Sequence, residues 1–142
     1  MVRFNFLPSI RGQLALIRND ASKAFDTLEA ANAYELGLPG LLSSPAFSHA
    51  LYPVYVRGQA FLAIHQGDKA AANFQKILDH RGVVLNGPIG ALAHLGLARA
   101  NVLQGDNDKA RTAYHDFLTL WKDADPDIPI LKQANAEYAK LQ

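Results

Sequence analysis

Apolar residues recur along this chain at three- and four-residue spacing, in stretches separated by short polar clusters holding Gly, Asn, Asp or Pro. That period marks helices with one buried face, and the β-branched residues are too scattered to build strands. Seven helices are expected. The first covers about 8–18 and the second about 21–34, with Asn19-Asp20 as the break and the N-cap between them. Residues 35–47, ELGLPGLLSSPAF, hold two Gly and two Pro and read as a loop. The third helix covers about 49–65, with Pro53 tolerated in its first turn, and Gly67-Asp68 closes it and caps a fourth over about 69–80. Residues 81–90, RGVVLNGPIG, form a second irregular connection. The fifth helix spans about 91–103, Gly105-Asp106-Asn107 is a stop followed by a start, and the sixth runs to about 122. The last starts near 126, with Asp125 as N-cap and Pro126 in the first turn.

The very short turns inside successive pairs are those of helical hairpins. One template fits the chain three times without gaps: a small residue, then sites three, twelve, sixteen and nineteen positions further on. The copies are Gly12, Ala15, Ala24, Leu28, Ala31; Gly58, Phe61, Ala70, Phe74, Ile77; and Ala98, Asn101, Ala110, Tyr114, Phe117. Small residues such as Gly58 and Ala70 belong where two helices cross closely, because a larger side chain would force the axes apart. Aromatic residues such as Phe61 and Phe74 fill the space between one hairpin and the next. A hairpin alone leaves an apolar face in water, and stacking buries it. In the last helix Ile130, Ala134, Tyr138 and Leu141 share a face, with Lys132, Asn135 and Lys140 opposite, as suits a solubilising cap on a stack.

A length of 142 residues fits one domain, with repeats over about 5–34, 51–80 and 91–122 and a cap over about 126–141. Fourteen Lys and Arg against thirteen Asp and Glu provide no clustered positive charge for a nucleic-acid backbone, so no nucleic-acid partner is expected. The absence of cysteine removes disulfides, thiolate metal sites and cysteine nucleophiles. The opening MVRFNFLPSI lacks the apolar core of a secretory signal, and no stretch approaches the ~18 apolar residues of a membrane span. No membrane insertion by this chain is expected.

Candidate chemistry is sparse. Asp123, Asp125 and Asp127 have the spacing that opens a calcium loop, but the sixth and twelfth positions hold Ile128 and Ala134 instead of Gly and Glu. Asp79-His80 and His115-Asp116 are adjacent pairs, which diverge on a helix, and His94 has no carboxylate three or four residues away. No two His stand at i and i+4 for a helical zinc site, and Ser43 and Ser44 lack a nucleophile-elbow frame. The expectation is a chain that is no enzyme and carries no metal and no cofactor. Arg99, amid LGLARAN on an apolar helix, has two readings: it meets a partner's carboxylate, or it pairs or runs its stem along the stack.

The template resembles the tetratricopeptide repeat, a helix–turn–helix unit that forms right-handed superhelical stacks; LARANVLQGDNDKARTAYHDFLTLW is the best copy. Two departures stand out. The copies start 46 and 40 residues apart rather than about 34, and Asn101 replaces an aromatic residue. The stretches FNFLPSIRGQLAL, LYPVYVRGQAFLAIHQGDKAAANFQKILDHRGVVLNGPIGALAHLGLARA and LWKDADPDIPILKQANAEYAKLQ further resemble the C-terminal region of large bacterial signalling proteins, acidobacterial ones above all. In those proteins a serine/threonine kinase or winged-helix regulator domain often precedes such repeats. This resemblance implies a non-catalytic sensor or interaction region that holds a protein or peptide, in the bacterial cytoplasm or on the outer side of a membrane-anchored parent. An architectural or dimerisation segment is the alternative, with a homo-oligomer as its product. An enzyme with an unfamiliar site is the third and weakest reading, because no cluster of titratable residues converges on one helix face. Ligands of the repeat family lie in a groove lined by the first helix of each pair. By the template that groove is Ser9, Gln13 and Leu16; Tyr52, Tyr55, Gln59 and Leu62; and Leu95, Arg99 and Val102. The Lys and Asn with which some relatives grip a C-terminal carboxylate are replaced by Ser9, Gln13, Val56, Leu92 and Gly96. The groove therefore suits an apolar or aromatic segment, with Tyr52 and Tyr55 as anchors unless they pack under the 35–47 connection.

Overall fold

The computed structural model describes residues 2–36, 51–84 and 87–142. Among them every regular element is helical: a π-helical turn Val2–Phe6, then α1 Leu7–Ile17, α2 Ala21–Glu29, a 3-10 turn Asn32–Tyr34, α3 Tyr52–Ala63, α4 Gly67–Asp79, α5 Arg81–Val84, α6 Ile89–Leu103, α7 Asn107–Leu120 and α8 Pro129–Ala139. No described helix is long and apolar enough to cross a membrane.

Three hairpins, α1–α2, α3–α4 and α6–α7, are closed by the same device. Asn19, His65 and Gly105 take left-handed backbone angles, with φ of 58°, 58° and 76°. The next amide reaches back across the turn each time: Asp20 N to Ala15 O at 2.9 Å, Gln66 N to Phe61 O at 2.9 Å, Asp106 N to Asn101 O at 3.0 Å. The left-handed residue itself donates to Leu16, Leu62 and Val102. This paired bonding satisfies the last carbonyls of one helix while reversing the chain. Asp20 and Asp106 then cap the next helix by accepting from Lys23 N and Lys109 N. The turns recur at the 46- and 40-residue offsets of the sequence template.

One expectation for these turns is corrected. The third helix is closed by His65, not by Gly67, and α4 begins at Gly67 with Gln66 as N-cap. Gly67 is needed for another reason. A Cβ there would stand 2.8 Å from the Ala100 carbonyl oxygen, so the start of α4 touches the α6 backbone only because the side chain is missing.

The hairpins stack in sequence. α3 packs on α1 and α2, α6 packs on α3 and α4, and α8 packs on α7. Phe74, wholly buried on α4, is the wedge between the second and third hairpins. A Cβ on Gly58 would lie 2.7 Å from its ring, and one on Gly96 would lie 2.5 Å from it. The ring is thus crowded by two glycine backbones, one from its own hairpin and one from the next. Gly12 makes the milder version: a Cβ there would stand 3.2 Å from both Leu28 and Val56. Ala15, Ala24 and Ala60 let the first two hairpins close up, and Leu95, Tyr114, Phe117, Leu131 and Ala134 form the core under α8.

Four element boundaries differ from expectation. α2 stops at Glu29, and the 3-10 turn that follows leads to Glu35, a residue assigned to a loop but 5% exposed. Its carboxylate takes Arg57 Nη1 at 2.5 Å from α3 and Lys76 Nζ at 2.6 Å from α4. A carboxylate removed from water requires such partners, and breaking either contact would leave a buried charge uncompensated. Inside the expected irregular connection 81–90, Arg81–Val84 form a helical turn that buries Val84 in the Phe74 core, and α6 starts at Ile89. The last helix starts at Pro129, not near 126. Asp125 does not cap it; its carboxylate accepts from Asp127 N at 2.9 Å in a local turn, and the proline ring then sets the first helical residue. Leu131, missed on the expected inner face, is buried beside Ala134.

Candidate functional site

The groove residues expected from the template do not all face a common space. Ser9 is buried, and its hydroxyl donates to Asn5 O at 2.7 Å. Leu95 is 1% exposed in the core that α8 completes. Gln13 and Leu16 are half-buried, with Leu16 against the alanine contact of the first two hairpins. Tyr52 and Tyr55 are half-buried against the Phe74 core. The Tyr55 ring meets Phe74 edge-on at 5.8 Å, and its hydroxyl accepts from Gln59 Nε2 at 3.2 Å. Burial raises the Tyr55 phenol above its usual range, partly offset by the nearby Arg99 cation. These tyrosines are largely packing residues. Ser43 and Ser44, and residues 37–50 of the connection weighed as their cover, lie outside the described residues.

Leu62, Arg99 and Val102 do converge. They line a hollow of about 390 Å³ with Leu103, Tyr114, Glu137, Lys140 and Leu141. One wall comes from α3 and α6 and the other from α7 and the end of α8. Val102 and Leu103 remain 38% and 41% exposed, so the apolar part of the hollow is reachable from water.

The polar groups at its centre bond to one another, while Lys140 stands exposed at its edge. Arg99 donates through Nε to Glu137 Oε2 at 2.8 Å and through Nη2 to Oε1 at 3.0 Å. The Tyr114 hydroxyl donates to the same Oε2 at 2.9 Å. Burial first, then that hydrogen bond, pushes the Tyr114 phenol far above its usual range, so it remains a donor. Of the two readings of Arg99, pairing inside the stack is the one observed. The two-point geometry fixes the guanidinium plane and fastens α8 across α6. Arg111 assists by donating to Leu141 O at 2.9 Å.

The histidines and acids offer little reaction chemistry. His94 Nδ1 lies 3.7 Å from Asp116 Oδ2, a neighbour from α7 that local spacing could not reveal. Burial holds His94 below its ordinary pKa of 6.5 despite that carboxylate. The Thr112 hydroxyl, on α7 with Asp116, donates to Asp108 O. His80 bonds through Nδ1 to Lys76 O. Asp127 pairs with Lys132 at 2.7 Å while Asp125 is engaged in its turn. Among the described residues no three His, Asp or Glu side chains gather as a metal site would require. No protein-family model, no curated protein and no solved structure matches the chain.

Proposed function

We propose that the chain is a non-catalytic protein- or peptide-binding module, a right-handed superhelix of three tetratricopeptide-like hairpins with α8 as cap, serving as the sensor or interaction region of a larger bacterial signalling protein. Three turns with the same pattern of backbone bonds at the template offsets support the repeat reading. α1, α3 and α6 lie side by side through the contacts α1–α3 and α3–α6, as the groove-forming helices of such a stack do. The observation that carries the binding reading is the hollow at the end of that row, where Leu62, Val102 and Leu103 present apolar surface around a neutralised Arg99–Glu137 pair. Such a surface favours an apolar or aromatic segment, with the exposed Lys140 at its edge able to meet a ring face or an acidic group beside it.

The test is selection of peptides from a displayed library, followed by affinity measurement with Leu62→Asp and Val102→Asp. Aromatic-rich peptides that bind the parent and lose about tenfold or more on each variant, at unchanged melting temperature, support the module. Peptides indifferent to both variants would remove this hollow from the function. A second reading, a dimerisation segment, is favoured by Ile10, Leu14 and Ile17, which are 56%, 47% and 70% exposed along one stripe of α1. Sedimentation equilibrium of the parent and Leu14→Glu separates them, because only a dimer through α1 changes mass.

A further inference from the structure

The opposite side of α6 carries a second opening, whose origin is legible from the repeat itself. Between the first and second hairpins, the gap on this side is filled by aromatic rings. Phe61 and Phe25 lie 4.7 Å apart, and Lys69 Nζ stands 5.6 Å from the Phe61 ring. One repeat further on, the counterpart of Phe25 is Ala71, that of Phe61 is Asn101, and that of Lys69 is Lys109. Both rings are gone and the lysine remains. A hollow of about 550 Å³ stands there, lined among others by Leu78, His94, Leu97, Asn101, Lys109 and Ala113. That volume is in the range of small-molecule sites. On α6, His94, Leu97 and Asn101 point roughly 140° away from Leu95, Arg99 and Val102, taking 100° per residue, so this opening is separate from the peptide hollow.

Asn101 is 7% exposed, and among the described residues its carboxamide has no hydrogen-bond partner; only its backbone carbonyl is used, by Gln104 N and Asp106 N. Its polar atoms are not sealed in the core but open onto the hollow they line, where they are free to pair with a ligand. The charges around it balance. Arg81, Lys109, Asp108 and Asp116 line it in equal numbers of each sign, Lys109 is paired with Asp106 and Asp108 with Arg111, and burial favours neutral His94. A charged ligand gains little there, and a neutral one loses little.

We propose that this hollow binds a small neutral heteroaromatic molecule whose ring replaces the missing phenyl groups between Leu78, Leu97 and Ala113 and whose amide-like edge pairs with the Asn101 carboxamide. One donor and one acceptor on the side chain match one acceptor and one donor on such an edge, the pairing an asparagine makes with adenine.

The experiment is a titration of the isotope-labelled full chain with adenine, nicotinamide and benzene, followed through the Asn101 side-chain amide and the Trp121 indole resonances. Trp121 lines an adjoining hollow that shares Leu78, Arg81 and His94. Saturable shifts of the Asn101 amide with adenine or nicotinamide are expected. Asn101→Leu removes both hydrogen bonds and should weaken binding about tenfold or more. Asn101→Phe and, from the opposite wall, Ala113→Phe should abolish it in whichever variant keeps its helical melt. Leu62→Asp should leave it unchanged, which separates this site from the peptide hollow. No saturable shift with either amide-edged probe, benzene binding as well as they do, or Asn101→Leu binding like the parent would each overturn the proposal.

Discussion

Replacing Gly96 by alanine isolates the contact that joins the second and third hairpins. Alanine in a helix interior is worth about 1 kcal/mol over glycine, so an unobstructed site would be stabilised. Here the new Cβ would stand 2.5 Å from two Phe74 ring carbons and 2.7 Å from a third. Ordinary carbon contacts begin near 3.5 Å, so ring or helix must move by about 1 Å. The ring has little room to retreat, because the Gly58 backbone crowds the same end of it and Phe74 is fully buried. Overpacking of this kind costs about 1–3 kcal/mol, and the blocked retreat places it at the upper end. Subtracting the propensity gain leaves a net loss of about 2 kcal/mol, or roughly 4–8 °C in melting temperature for a chain of this size. Denaturant titration followed by circular dichroism at the helical band measures it. Phe74→Leu supplies the second arm of a cycle: with a smaller side chain at 74, Gly96→Ala should cost much less, giving a coupling of about 1 kcal/mol or more. If Gly96→Ala proves neutral or stabilising beside an intact Phe74, the wedge is not where it is described.

Two further outcomes are expected. His65→Gly should raise stability by about 1 kcal/mol, since the left-handed angle penalises a Cβ, whereas Gly105→Ala should lower it by a similar amount; equal midpoints in both variants would remove the turn assignment. The His94 imidazole titrates below its unfolded value of 6.5, so the unfolded chain takes up that proton first. Its share of stability is present above pH 6.5 and is lost as pH falls through that value toward the folded pKa, and His94→Gln should flatten that part of the pH–stability curve.

Parts of this architecture were readable because they depend on neighbours in sequence. Asp20 and Asp106 cap helices three residues away, and Gly105 supplies a turn that glycine signals directly. His65 was misread because glycine is the usual occupant of a left-handed position and Gly67, two residues on, offered a more obvious stop. The Gly58–Phe74 fit was visible in the repeat template, but Gly96, the other glycine against the same wedge, has no place in that template. The groove was harder. Arg99 finds Glu137 at a separation of 38 residues, and Glu35 finds Lys76 at 41, and nothing in local periodicity records such pairings. Ser9 and Leu95 share a helical stripe with the exposed positions, but neighbouring segments cover them, and a stripe alone does not say what packs over it.

The three matching turns also bear on how the chain reaches its fold. Each hairpin is closed by bonds spanning only a few residues, so the entropy lost in closing it is small and does not depend on the rest of the chain. Folding can therefore nucleate in any of the three hairpins and spread to its neighbour through a shared contact such as the Phe74 wedge. The slow step becomes the docking of one preformed pair on another, and a substitution between hairpins should retard folding more than one within a turn.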